Sequence, residues 1–136
     1  MRFDTKIGIA VREDLASWQK LNVTAFLASG LGTAVPEVVG RPYQDGTGHR
    51  YLPMFRQPVL VFAGSAGQLS AAHQRALTRG QVTAVYTEDL FKTDNDDDNR
   101  AAVAAVPGGE LNLAGIAVYG RRNDVDKIVK GMPLHR

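Results

Sequence analysis

The sequence predicts a single α/β domain in which about four short strands are buried on both faces by helices. Three observations carry that expectation. A chain of 136 residues has the size of one domain with one core. Four apolar runs rich in β-branched residues recur at 7–11, 58–62, 82–86 and 114–119, too continuous for strands with one wet face. The stretches between them read as helices, the alternation of an α/β layer structure. No repeat, linker or second domain interrupts residues 1–136.

The first helix is expected after Asp14, running to about Gly30, where Gly30 and Gly32 supply a stop. On a helical wheel Trp18, Leu21, Ala25 and Ala28 share a face. Val23, Phe26 and Leu27 continue round most of the rest, leaving only Lys20 and Thr24 as a polar edge. A helix so apolar is either sandwiched or used in a subunit contact. Asn22 falls between Trp18 and Phe26, so its amide is expected to be buried and partnered.

Residues 33–57 lack helical period and carry Pro36, Gly40, Pro42, Asp45-Gly46, Gly48 and Pro53, with a small hairpin expected about 45–48. A connection of that length is more often functional than accidental. The second helix opens at Ser65, with Gln68 three residues on as a capping box, and shows an apolar stripe of Leu69, Ala72, Ala76 and Leu77 with His73 on the same face. A short third helix is expected after Asp97 or Asp98, using residues 101–106 and ending at Pro107-Gly108-Gly109. A fourth should run from Asn123 to about Lys130, with Gly131 as its stop.

There is no cysteine, which excludes disulfides, a thiolate nucleophile and cysteine-ligated zinc. Residues 1–14 carry acids and bases around a five-residue apolar run, too short for a signal-peptide core or a membrane span. The expected location is therefore the cytoplasm, with no membrane partner. The formal charge is only +2, but it is uneven. Glu88, Asp89, Asp94, Asp96, Asp97 and Asp98 face Lys92 alone, whereas Arg121, Arg122, Lys127, Lys130 and Arg136 gather near the other end. Solvated faces explain both, and neither is a basic arm of the nucleic-acid kind.

Several motifs come close to chemistry. Gly64-Ser65-Ala66-Gly67 follows a strand and opens a helix, nearly matching a G-x-S-x-G elbow, yet the residues suit capping better, or anion binding by the helix N–H groups. Asp94, Asp96 and Asp98 alternate as in a calcium loop, but Asn99 and Ala105 stand where that loop needs glycine and glutamate. An acidic loop complementing the next helix dipole is the better reading. No metal or cofactor is expected. The tract Arg12-Glu13-Asp14-Leu15 ends the first strand, and strand C-termini face the ligand crevice of open α/β sheets. Asp14 is expected either to cap the first helix or to line that crevice with Lys20 and Asn22, with Tyr43, Asp45, His49 and Tyr51 of the long loop closing over it.

The tract from Lys6 through an apolar run to Val11-Arg-Glu-Asp-Leu15 resembles the opening of type II peptidyl-tRNA hydrolases, and Val125-Asp-Lys-Ile-Val-Lys-Gly-Met-Pro-Leu134 resembles their end. Over nearly the whole chain the sequence more closely resembles the uncharacterised bacterial family Domain of Unknown Function 2000. Trp18-Gln-Lys-Leu-Asn22, Ala25-Phe-Leu27, Gly40-x-Pro-Tyr43, Tyr51-Leu-Pro53, Gln57-Pro-Val-Leu-Val-Phe62, Tyr86-Thr-Glu88, Asn99-Arg100 and the 126–131 end carry that likeness. The resemblance implies a fold similar to the hydrolases: three-layer α/β/α with a mixed, mainly parallel sheet of about four strands. Of the hydrolases' functional residues, Asp14 and, loosely, Lys20 carry over. Their catalytic-aspartate tract is replaced by Tyr86-Thr-Glu-Asp-Leu-Phe91, where Glu88 or Asp89 offers a displaced carboxylate.

The function these readings lead to expect is binding of a small-molecule or nucleotide-like ligand beside the first strand and helix, with Arg12, Asn22, Tyr43, Asp45, Asn99 and Arg100 on the ligand. If a hydrolytic step follows, Asp14, Lys20 and Glu88 are its candidates. The alternatives are a homodimer formed through the apolar first helix, without chemistry, and a diverged hydrolase acting on tRNA.

Overall fold

A computed structural model describes residues 3–136. Each of the four apolar runs becomes a strand: β1 (Thr5–Arg12), β4 (Val59–Gly64), β5 (Val82–Thr87) and β6 (Leu113–Arg121). They form one sheet in the order β4-β1-β6-β5. β1 pairs in parallel with β4, from Ile7 opposite Val59 to Arg12 opposite Gly64. It pairs antiparallel with β6, which in turn pairs antiparallel with β5. The sheet is mixed as expected, but with one parallel and two antiparallel pairings it is not mainly parallel. Strands buried on both faces carry the same apolar run whichever way they point, so direction is decided by the connections. A helical crossover returns β4 parallel to β1, whereas the chain between β5 and β6 turns back at the end of the sheet and never crosses a face.

That turn holds a 3-10 segment (Glu88–Lys92) and α3 (Asp96–Ala104), which pack chiefly on each other. The helix begins earlier than the sequence suggested because Asn95, not Asp97 or Asp98, is its cap, its side chain accepting from the Asp98 N–H at 2.8 Å. α2 (Ala66–Thr78) opens as expected, with Ser65 Oγ accepting from Gln68 N at 3.2 Å and Gln68 Oε1 from Ser65 N at 2.9 Å. Its Leu77 is exposed rather than part of the buried stripe. α4 (Arg122–Ile128) ends earlier than the expected Lys130, with Val129 as its C-cap; Gly131 instead sits in the turn that follows, closed by the Met132 N–H on the Val129 carbonyl, where its φ of 92° suits a glycine.

The first helix corrects two expectations. α1 (Ser17–Ala34) runs straight through Gly30 and Gly32, neither of which has positive φ. It ends before Pro36, which cannot donate to a continuing helix. Asp14 does not cap it; Ala16 is the N-cap, and Gln19 Oε1 accepts from the Ala16 N–H at 3.0 Å. The face it buries is Val23, Leu27 and Leu31, while Trp18, Leu21 and Ala25 are exposed. A helix apolar on every side has no directional pattern, so the wheel could not choose which face meets the sheet.

The sheet separates two hydrophobic clusters. One gathers Ile7, Ile9 and Val11 of β1 with Val23, Leu27 and Leu31 of α1 and Tyr86 of β5. The other gathers Ala10, Phe62, Ile116 and Val118 with Leu69, Ala72 and Ala76 of α2 and Val125 and Ile128 of α4. This alternation along β1 and β6 is the period-2 geometry of a strand buried on both faces. The hairpin expected about 45–48 is present as β2 (Tyr43–Gln44) and β3 (Arg50–Tyr51). No helix among the described residues is long and apolar enough to cross a membrane.

Candidate functional site

β1, β4 and β5 point the same way, and β6 opposes them. The ends of the first three and the start of β6 therefore share one edge, and that edge collects Arg12, Glu88 and Asn112. The Arg12 side chain is buried and fully engaged. Its Nε donates to Asp14 Oδ1 at 2.6 Å, and its Nη1 donates to Asn112 Oδ1 at 3.1 Å and lies 3.0 Å from Glu88 Oε2. Asn112 Nδ2 donates to the same Glu88 oxygen at 2.8 Å, and the Glu88 N–H donates to the Asn112 carbonyl at 2.9 Å. Burial alone would lower the Arg12 pKa, but the two carboxylates outweigh it and the net shift is upward. In return, the hydrogen bond from Arg12 holds the Asp14 carboxyl below its ordinary range. Asp14 is thus an ionised acceptor at neutral pH and a weak base.

Beside this network α1 and the segment after β5 enclose a cavity of about 420 Å³. Trp18, Asn22 and Phe26, four residues apart on one flank of α1, form one wall. Tyr86, Leu90, Phe91, Thr93 and the stretch 94–96 with Asn99 form the other. The rings are in contact one after another: Trp18 to Phe91 at 5.9 Å and Tyr86 to Phe26 at 5.5 Å, both edge-to-face, with Phe91 and Tyr86 tilted against each other at 5.2 Å. Asn22 is half-buried as its place in the wheel suggested, and its Nδ2 donates to the Tyr86 hydroxyl at 3.2 Å. Burial pushes the Tyr86 phenol up, with Asn22 acting against it. Thr93 Oγ1 donates to Asn99, fixing that amide at the rim. A shallower groove continues from Phe26 and Tyr86 along Gly30, Ala84, Val103 and Arg100.

The remaining expected site residues lie elsewhere. Lys20 is on the opposite flank of α1, its Nζ 3.2 Å from His135 Nε2, in a separate pocket of about 430 Å³ with Val11, Leu21, Thr24 and Val61. Arg100 is engaged by Asp96 and Asp97 of its own helix. Tyr43 lines a pocket with Gly40, Arg41, Pro42 and Met54 to Arg56, away from the crevice. Asp45 organises the hairpin from inside: its carboxylate accepts from the Tyr51 hydroxyl at 2.7 Å, Thr47 Oγ1 at 2.8 Å, and the N–H groups of Thr47 and His49 at 2.9 and 3.0 Å. These donors, Tyr51 first, pull its pKa down to about 2. The long loop therefore does not close over the crevice.

Ser65 is a cap, and His73 is buried on α2 with its pKa lowered by burial. Among the described residues no group of three or more His, Cys, Asp or Glu is placed to hold a metal ion. Of the residues the sequence singled out, Arg12, Asp14 and Glu88 meet in one network and Asn22 and Asn99 line the cavity. Sequence reasoning missed Asn112 and the joint role of Trp18, Phe26, Tyr86 and Phe91. The available signal for Asn112 was its position immediately before the last apolar run; the rings come from three elements and share no spacing.

A family model described as protein of unknown function (DUF2000) matches residues 5–136. A solved structure of a protein of unknown function from Agrobacterium tumefaciens strain C58, Atu0240, is 44% identical and superposes with a TM-score of 0.96, covering 99% of this chain and 100% of that one. No curated protein matches at a comparable level.

Proposed function

The chain belongs to the DUF2000 family of proteins of unknown function, and from that premise we propose that it binds a small planar ligand in the crevice between α1 and the segment after β5. The observation that carries this reading is the aromatic cavity itself: Trp18, Phe26, Tyr86 and Phe91 with the amides of Asn22 and Asn99, beside the end of β5. Strand ends are where open α/β sheets bind ligands. A mostly apolar cavity of a few hundred Å³ with a few placed polar groups is the ordinary form of a small-molecule site. Rings bind flat heterocycles by stacking, and an amide pair reads a heteroatom edge. The three-layer, hydrolase-like description of the fold belongs to the same proposal.

A hydrolytic step with Glu88 or Asp14 as base has less support. Arg12 keeps both carboxylates engaged, and Lys20 and Arg100 stand outside the cavity. Asp94 and Asp96 at the rim also disfavour a polyanion such as tRNA.

Trp18 is the chain's single tryptophan, so its fluorescence reports on this cavity alone. Titration with adenosine, guanosine, indole and nicotinamide, paired with thermal denaturation, should give saturable quenching and stabilisation for at least one ring. Both effects should be lost in Phe91→Leu and Asn22→Leu. Flat titrations across the panel would refute the proposal.

A second reading, a homodimer through α1, is favoured by Leu21, which is 73% exposed on the outer face of that helix. Light scattering should then show a dimer that Leu21→Asp dissociates; a monomer at all concentrations would refute it.

A further inference from the structure

We infer that the ligand of this cavity carries, beside its planar part, an alkylated ammonium group whose charge sits against the aromatic rings; this rests on the binding reading above and narrows its chemistry.

The lining contains Asp94 and Asp96 and no lysine, arginine or histidine. Asp96 is paired with Arg100, which lines the neighbouring groove. Asp94 makes no ion pair among the described residues, its carboxylate accepting only from Asn95 Nδ2 at 3.0 Å, so one carboxylate of the lining stays without a cation. Arg12 is engaged by Asp14 and Glu88, and Lys20 faces the other flank of α1. The uncharged groups point the same way. Asn22 uses its amide N–H on the Tyr86 hydroxyl, which leaves its carbonyl oxygen as an acceptor toward the cavity.

The rings supply the other half. An aromatic face is negative and its edge positive. The outermost rings of the cluster, Trp18 and Phe26, are 63% and 50% exposed, so both keep ring surface available to a ligand. A weakly hydrated alkylammonium can leave water for such faces at little cost, and tryptophan is the best of the cation-binding rings. A phosphate-bearing ligand would meet the opposite: two carboxylates and no donor of positive charge.

The test compares choline with its neutral isostere 3,3-dimethylbutan-1-ol by calorimetry and Trp18 fluorescence. Choline should bind the wild-type chain about tenfold more tightly than the isostere. Asp94→Asn should weaken choline several-fold and leave the isostere unchanged, and Trp18→Leu should weaken choline. Equal affinity for the two compounds overturns the inference, even if a neutral ring from the earlier panel still binds, in which case the binding reading stands alone. Silence from both compounds and from the neutral panel removes both. The wild-type comparison needs no variant, so it decides the matter even if a substitution unfolds the chain.

Discussion

Gly115→Ala should displace α1 from the sheet. Gly115 lies in β6 between Val11 and Tyr86, directly beneath the helix that forms one wall of the cavity. A Cβ built there stands 2.5 Å from Val23 Cγ1, 3.0 Å from Leu27 Cδ1 and 3.1 Å from the Ala10 carbonyl oxygen. The first of these is about 0.9 Å short of ordinary van der Waals contact, which begins at 3.4 Å. Val23 is β-branched and held to one rotamer in a helix, and the carbonyl belongs to the sheet, so neither yields easily. Overpacking of this kind costs about 1–3 kcal/mol, a fall in Tm on the order of 5–10 °C for a chain of this size. Two other glycines calibrate the claim. At Gly64 the obstacle is the flexible Met132 side chain, its Sδ 2.5 Å away, so alanine there should cost less, about 1 kcal/mol. At Gly46 nothing lies within 4 Å, and alanine should change stability by less than about 0.5 kcal/mol. Urea denaturation of the three variants measures the order directly. Because Asn22 and Phe26 sit next to Val23 and Leu27 on α1, Gly115→Ala should also loosen the Asn22–Tyr86 hydrogen bond and weaken whatever quenches Trp18. Gly115→Ala as stable as Gly46→Ala would refute the packing argument.

Two further outcomes test the electrostatics. Arg12→Met should destabilise by about 1–3 kcal/mol, since it removes charge-assisted hydrogen bonds to Asp14, Glu88 and Asn112; both carboxylates keep contact with water, which holds the cost below that of a buried pair. The Asp14 carboxyl, now depressed, should return toward its ordinary range, read by carboxyl NMR titration. A folded-state pKa below the unfolded value means that the pair stabilises the chain above the unfolded carboxylate pKa, and that this contribution disappears as pH falls through the folded one. Arg12→Met should therefore lose less stability than wild type on acidification. In the hairpin, Asp45 should titrate with a midpoint of about 2, and Tyr51→Phe should raise it, since the Tyr51 hydroxyl is its strongest donor. The hairpin contribution is then present above the ordinary aspartate range and is lost between there and about pH 2. An Asp45 midpoint near 4 in the wild-type chain would overturn the hydrogen-bond assignment.

The sequence by itself determined what is local. Four continuous apolar runs of strand length, rich in β-branched residues, were legible as strands because length and composition are properties of the run itself. Ser65 and Gln68 cap α2 with atoms three residues apart. Arg12, Asp14 and Glu88 could be placed at one edge of the sheet because strand ends are legible and that edge follows from them. Only the tertiary structure decided what depends on separation in the chain. The direction of β6 rests on a connection that stays off the sheet, and the buried face of α1 was unreadable because apolar residues surround it. Asn112 is 100 residues from Arg12, and the four rings of the cavity come from α1, β5 and the turn after it. A side chain's partner across the fold leaves no periodic trace in sequence, since the contact is made by the packing of whole elements rather than by the spacing of residues along one of them.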